Sequence, residues 1–263
     1  MLQARNVHMQ FGGVRAVSDV SIEVGKGEIV GLIGTNGAGK TTLFNIVSGF
    51  LRPSRGSVLL DGKDVTGWPP HSISKLGVLR TFQTPVGFPR MTVMENMLVF
   101  DPGADTRVGH ALFNPRSGSI DRQTAERARG IAADLGFRDK LDVWAQDLSA
   151  PELKLLEFAR ALMAGSRLLL LDEPAAGVNP ALLDQLVSLI RGLNARGTTL
   201  VIVDHNLGFI SKICDRVYAM ADGSVIASGT SKQVLENPAV IDCYIGKAPA
   251  RTKPAGALAM GSA

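Results

Sequence analysis

The stretch EIVGLIGTNGAGKTTLF, Glu28 to Phe44, constrains the fold of this chain more than any other. EIVGLIG is an apolar run too short for a helix and bounded by glycines, which reads as a buried strand. GTNGAGKT follows at once and matches G-x-x-x-x-G-K-[ST] from Gly34 to Thr41. LFNIVSGF then sets Leu43, Ile46, Val47 and Phe50 at helical spacing. Strand, glycine-rich turn and helix in that order form a phosphate-binding loop. Gly34, Gly37 and Gly39 let the backbone curl so that its N–H groups face phosphate oxygens. Lys40 adds a point charge near the outer phosphates, and the Thr41 hydroxyl is a ligand for Mg²⁺. A glycine turn with a surface lysine requires none of that flanking order.

The rest of the chain sorts into three kinds of segment. VHMQF and VSIEV read as β structure, and VLLDGKDV places Asp61-Gly62 at a hairpin turn. From about Pro85 to Gln146 strand signals stop. TPVGFPRMTVMENMLVF is irregular and then helical, DPGADTRVGHALFNPRSGS reads as a long loop, and DRQTAERARGIAADLGF as a polar-faced helix. A helical insert is expected there. Beyond it, ELKLLEFARALMA is a helix and RLLLLDEP a buried strand. PALLDQLVSLIRGLNARG is an amphipathic helix with Leu182, Leu186, Leu189 and Ile190 on one face. TTLVIVDH is another buried strand, a short helix follows, and RVYAMADGSVIASG is a second Asp-Gly hairpin. Strands alternating with helices predict a parallel sheet covered on both faces. The final KAPARTKPAGALAMGSA has no periodicity and is expected to be a mobile tail.

Composition narrows the function classes. A chain of 263 residues that is 45% hydrophobic can bury a full core. No apolar stretch approaches the ~18 residues of a membrane span. MLQARNVHMQFGG lacks the apolar region of a secretory signal. Cys214 and Cys243 suggest no disulfide framework, so a reducing cytoplasm is the expected compartment. The net charge of +4 is spread along the chain, without the basic stripe that nucleic acid requires.

LLLLDEP supplies a partner for the phosphate loop. Asp172 and Glu173 fall at the C-terminal end of a core strand, where ligands bind in open α/β sheets. Adjacent carboxylates can divide the work: Asp172 in the Mg²⁺ shell, Glu173 accepting a proton from an attacking water. LSAPE, Leu148 to Glu152, admits two readings. Ser149 and Glu152 make an S-x-x-E capping box with Pro151 in the first turn, and a helix N-terminus also collects anions.

A phosphate loop, TFQTP, an LS-type helix start, LLLLDEP and VDHN stand in the order found in ATPase subunits of ABC transporters. The chain resembles that family from about Leu2 to Gly246. PAAGVNP and ENPAVIDCYIG resemble its branched-chain amino-acid importer group in particular. The resemblance implies an α/β fold: a RecA-like P-loop core with an antiparallel β subdomain and an inserted helical subdomain. Residues 1–246 would form this ATPase domain, with the helical part at about 85–160 and 247–263 as tail. It implies that ATP is held by Gly34, Asn36, Gly37, Ala38, Gly39, Lys40, Thr41 and Thr42, with Phe11 stacked on adenine. Mg²⁺ would be bound by Thr41, Asp172 and Gln83, and Glu173, Gln83 and His205 would act in hydrolysis, His205 contacting the γ-phosphate. Asn179 stands where the family often has aspartate, in a loop that crosses a dimer.

LSAPE occupies the family's LSGGQ position, where one subunit caps the γ-phosphate bound by the other. Ser149 is kept, and Ala150, Pro151 and Glu152 replace Gly, Gly and Gln. Proline removes an N–H and glutamate adds charge where phosphate docks. The expected cap, formed by Ser149, Ala150 and Glu152, is weakened, which favours a heterodimer with a second ATPase subunit over a homodimer. The further partners implied are two membrane permease subunits and, indirectly, a solute-binding protein, with the chain peripheral on the cytoplasmic face of the inner membrane. The cargo would be a branched-chain or related amino acid or a small amide. A soluble regulatory ABC ATPase would carry two cassettes or a long coiled coil. A small-molecule kinase does not account for Gln83, His205 and the signature position. A subunit with weakened hydrolysis remains open because of LSAPE.

Overall fold

The computed structural model describes residues 1–81, 87–102 and 122–245. Two sheets carry these residues. The smaller is antiparallel, with β1 (Leu2–Phe11) between β2 (Val14–Val24) and β4 (Arg55–Leu60), and β5 (Lys63–Asp64) at the edge beyond β4. The larger contains β3 (Ile29–Gly34), β6 (Val78–Arg80), β7 (Leu168–Asp172), β8 (Thr199–Val203), β9 (Arg216–Ala221) and β10 (Ser224–Gly229). Its order is β10-β9-β3-β8-β7-β6, parallel throughout except for the β9–β10 hairpin.

The continuous apolar strands follow from a sheet buried on both faces. Along each strand, alternate residues enter different cores. Val30, Leu32, Leu168, Leu170, Val201 and Val203 pack with Leu43, Phe44, Ile46 and Val47 of α1 (Lys40–Val47) and with the smaller sheet. Ile29, Ile33, Leu169, Leu171, Leu200 and Ile202 face the other way. They meet α5 (Ala150–Met163), α6 (Pro180–Ala195), α7 (Leu207–Ile213), α8 (Ser231–Leu235) and α9 (Pro238–Ile245), reckoned after α2 (Pro70–Ser74), α3 (Val93–Leu98) and α4 (Arg122–Asp134). Leu186 and Ile190 of α6 are buried, on the apolar face that its spacing predicted.

A third core joins α3, α4 and α5 through Val93, Met97, Ala128, Ile131, Ala132, Leu156, Ala159 and Met163. This is the expected helical block. Among its described residues the one departure is an isolated bridge between Thr92 and Trp144. Thr92 caps α3 and Glu95 returns the contact, a complete capping box. Helix α5 belongs to two cores, because Phe158 and Ala161 pack on the sheet while Leu156, Ala159 and Met163 pack on α3 and α4.

Both Asp-Gly turns form as read. Asp61 and Gly62 have φ of +48° and +80°, and Asp222 and Gly223 have +47° and +77°, the pattern of a two-residue hairpin with positive φ at both central positions. One expectation is corrected. Phe50 does not continue the face of α1, which ends at Val47, with Ser48 Oγ donating to the Phe44 carbonyl at 2.6 Å. Gly49 turns the chain at φ +80°, and a Cβ there would lie 2.4 Å from the Trp68 carbonyl oxygen. Phe50 is left exposed. The expected loop at 103–121 and the tail lie outside the described residues. Both cysteines are free thiols, and burial holds Cys214 far above the usual thiol range. No helix of the described residues is long and apolar enough to cross a membrane.

The entry to the helical block hangs on Asn96, which is fully buried. Its side-chain nitrogen donates to the carbonyls of Phe88, Met91 and Thr92 at 3.1, 3.1 and 2.9 Å. Its side-chain oxygen accepts from the Phe88 N–H at 2.8 Å and from Arg160. Asn96→Ala strands these groups in a dry setting and is expected to destabilise the chain by about 2–3 kcal/mol. Urea denaturation measures that loss, and faster hydrogen exchange at the Phe88 amide would locate it.

Candidate functional site

The glycine-rich loop leaves β3 and enters α1 under tight steric limits. A Cβ on Gly34 (φ +152°) would lie 2.4 Å from the Met220 carbonyl oxygen, and one on Gly39 (φ +98°) 2.4 Å from that of Ala16. Only glycine permits both approaches. Gly37 has φ +82° with open space around it, so there the need is conformational alone. The β9–β10 turn braces the loop from outside: the Gly223 N–H donates to the Ala38 carbonyl at 3.2 Å, and the Ser18 N–H to the Gly223 carbonyl at 2.8 Å.

Lys40 is buried inside this curl. Its ammonium donates to the carbonyls of Gly34 and Thr35 at 2.7 and 2.9 Å. An ammonium has three protons, so one remains for a ligand. Burial lowers the Lys40 pKa, while the charges of Glu173 and Asp172 act in the opposite direction. Gly39 is the N-cap of α1 and the first turn carries no acidic residue, so no side chain of the helix itself opposes an anion at that end.

Across from the loop, β7 and β8 deliver the acidic residues. Asp172 ends β7 and is buried; Glu173 follows with φ +48°, a conformation that strains a non-glycine residue. The Glu173 N–H donates to the Val203 carbonyl at 2.8 Å, which ties the turn to the end of β8. His205 Nδ1 lies 3.9 Å from Glu173 Oε1. Gly34, Thr35, Asn36, Glu173, His205 and Tyr244 line one cavity of about 370 Å³. The structure therefore brings together the loop start, Lys40, Asp172, Glu173 and His205. Phe11 sits at the end of β1 and is 47% exposed. Gln83 lies outside the described residues.

Two residues of the site escaped sequence reading. Arg80 ends β6, and its Nη2 donates to Asp172 Oδ2 at 2.9 Å, with both side chains under a tenth exposed. Its Nη1 donates to Asn45 Oδ1 and Ser48 Oγ at 2.6 and 3.0 Å. Arg80 thus fastens α1 to the carboxylate at the end of β7. An arginine closing an apolar strand was the available signal, since a buried charge requires partners. Asp204, also fully buried, accepts from the Ala175 N–H at 3.0 Å and the Asn206 N–H at 2.8 Å. It joins the loops that carry Glu173 and His205.

At LSAPE the capping box is present. Glu152 Oε2 accepts from the Ser149 N–H at 2.8 Å and from its hydroxyl at 2.7 Å, and Lys140 lies 3.3 Å from Glu152 Oε1. The Ser149 hydroxyl, then its N–H, holds the Glu152 carboxyl below its ordinary range. The box is therefore formed above the usual carboxylate range and is lost as pH falls through the lowered value.

Comparison with known proteins gives a consistent family. The profile described as "ABC transporter" matches residues 17–176. The chain is 43% identical over 246 residues to the probable branched-chain amino acid transport ATP-binding protein LivG of Archaeoglobus fulgidus, covering 94% of this chain and 95% of that one. It is 37% identical over 257 residues to the high-affinity branched-chain amino acid transport ATP-binding protein LivG of Escherichia coli strain K12, covering 94% and 98%. Among solved structures, an ATP-binding cassette of an ABC transporter in its ADP conformation superposes with a TM-score of 0.82 at 36% identity, covering 94% of this chain and 98% of that one. The sheets, the helical block and the overall architecture agree with such cassettes.

Arg80→Ala is expected to cost about 3–5 kcal/mol of stability, because it leaves Asp172 buried without its charge partner. Arg80→Lys recovers little, since one ammonium cannot span Asn45, Ser48 and Asp172 as the planar guanidinium does. Guanidinium unfolding of both variants checks the order.

Proposed function

Because the chain belongs to the ABC transporter family as an ATP-binding, ATP-hydrolysing subunit, we propose that it energises an importer of branched-chain or closely related amino acids. The observation that carries the site reading is one cavity bounded by the loop start on one side and by Glu173 and His205 on the other, with Lys40 anchored to the loop's own carbonyls. The reading of cargo rests on the relatives' names.

In this reading the outer phosphates of ATP lie against Gly34 to Thr42, and the remaining Lys40 proton meets them. Phe11 stacks on the adenine. Glu173 takes a proton from the attacking water, and His205, beside it, contacts the γ-phosphate. Mg²⁺ is held by one or two carboxylates together with substrate phosphates. Asp172 and Thr41 offer hard oxygen donors for it, with Gln83 as a further ligand. The ion would neutralise charge that develops on the phosphates.

The permease subunits dock on the helical block. Phe88, Val99 and Trp144 are exposed apolar side chains of that block. The chain then sits at the inner membrane as a peripheral subunit, served by a solute-binding protein. Residues 1–246 act as the ATPase domain.

The signature supports a heterodimer. Glu152 already occupies the Ser149 hydroxyl and N–H, the groups that would meet a partner's γ-phosphate. Its carboxylate repels that phosphate, and Pro151 removes a donor from the first turn. A homodimer has two such caps, whereas a second subunit with an intact signature supplies a better one to this chain's loop.

Lys40→Ala is expected to abolish ATP binding or turnover, read by equilibrium binding and steady-state hydrolysis. Glu173→Gln keeps nucleotide affinity and slows hydrolysis by about 100-fold or more, since only the carboxylate accepts a proton. Parental rates in both variants would remove the site reading, and failure of ATP-dependent leucine uptake in vesicles containing the complete transporter would remove the cargo. Restoring the signature through Ala150→Gly, Pro151→Gly and Glu152→Gln is expected to raise the ATPase rate of the isolated subunit several-fold, as phosphate contacts of this kind are each worth about tenfold. An unchanged rate would mean that Ser149 and the helix end suffice, and the heterodimer argument would fall.

A further inference from the structure

The ENPAVIDCYIG segment reaches the site through Tyr244, a lining residue to which the hydrolytic reading gives no role. The Asn237 side chain accepts from the Ala239 N–H at 2.9 Å and Pro238 opens α9, so the helix start is well defined. Val240, one turn in, is buried in the core beneath β3. Tyr244 lies four residues on, on the same face. That spacing carries its ring to the C-terminal end of β3, where it lines the cavity with Gly34, Thr35, Asn36, Glu173 and His205.

The Tyr244 hydroxyl oxygen is buried and finds no hydrogen-bond partner among the described residues. The Gly34 backbone approaches the phenol oxygen and partly offsets the effect of burial on its pKa, but the hydroxyl's own proton has no acceptor among the described residues. Burial raises the phenol pKa, so the group is a protonated donor at neutral pH. A buried donor without a partner is unfavourable, and such groups in native proteins call for an explanation. Packing alone offers none, because phenylalanine would fill the same space without the orphan hydroxyl.

We propose that Tyr244 is a positioning residue for ATP hydrolysis: its hydroxyl takes its hydrogen bond at the Gly34–Asn36 end of the loop as water attacks the γ-phosphate, and so holds the loop start in register with Glu173 and His205. This rests on the hydrolytic reading of that cavity. The carboxyl-terminal helix thereby becomes part of the nucleotide site, and strain on α9 is felt at the start of the loop.

The test is Tyr244→Phe in the full-length chain, assembled with its permease subunits, with Glu173→Gln measured beside it. Single-turnover ATP hydrolysis is expected to fall about 3- to 10-fold in Tyr244→Phe, the effect of one hydrogen bond made during the reaction. Affinity for the non-hydrolysable analogue adenylyl imidodiphosphate stays within about twofold, and the thermal midpoint is unchanged or higher, since an unsatisfied buried group has been removed. A merely structural tyrosine predicts the opposite pattern. A parental rate in Tyr244→Phe beside a slowed Glu173→Gln overturns the inference and leaves the site reading intact. Parental rates in both overturn the two together. A loss of analogue binding and thermal midpoint in step with the rate assigns Tyr244 to packing and also overturns the proposal.

Discussion

The approach of Gly34 to Met220 and of Gly39 to Ala16 is the contact on which the arrangement of this protein depends. In both places backbone meets backbone closer than any side chain allows. The loop between them is wedged between the end of β9 and the strand β2, so the smaller sheet, the larger sheet and α1 converge on six residues. That wedge turns the Gly34 and Thr35 carbonyls inward, where they hold the Lys40 ammonium. A lysine on an open turn would be a mobile, hydrated charge. Here two of its protons are committed and its direction is set before any ligand arrives, which reduces the ordering that binding must supply.

Around that centre, charge is distributed by a small polar framework in an otherwise apolar sheet. Arg80 links Asn45 of α1 and Ser48 at its C-terminal end to Asp172 of β7, and Asp204 links the turns that follow β7 and β8. Apart from the local Asn206–Asp204 bond, these contacts join residues about 30 to 90 positions apart in the chain. Breaking one therefore disturbs the relative placement of the loop, Asp172 and Glu173, and leaves a buried group unpaired as well. The strained backbone at Glu173 belongs to the same design, because the Val203 carbonyl and Asp204 hold its turn from two sides.

Helix α5 connects this centre to the helical block. One of its faces lies on the parallel sheet and the other on α3 and α4, with the LSAPE start at its N-terminus. A packed helix shared by two cores moves as a unit, since neither interface deforms by small amounts at low energy. Asn96, which gathers the Phe88–Thr92 segment, reaches this helix through Arg160. The Phe88–Thr92 segment is thus tied to the helix that LSAPE opens.

By itself the sequence determined whatever depends on local chemistry. Glycine spacing defined the phosphate loop, apolar runs defined the buried strands, and two Asp-Gly pairs defined hairpins, because each is governed by φ restrictions or by burial of neighbouring residues. The capping box at Ser149 and Glu152 was legible for the same reason. Phe50 misled because helical spacing continued past Val47 while Gly49 had already turned the chain, a turn required by a carbonyl from Trp68 that no local pattern contains. Asp204 and Tyr244 were silent, and Arg80 was missed, for a related reason. The meaning of each lies in partners from distant strands and helices, an ion pair, two backbone N–H groups and a shared cavity. Sequence recorded which groups this protein possesses; only the tertiary structure decided which buried ones found partners, because burial and pairing belong to the packed chain and not to any stretch of it.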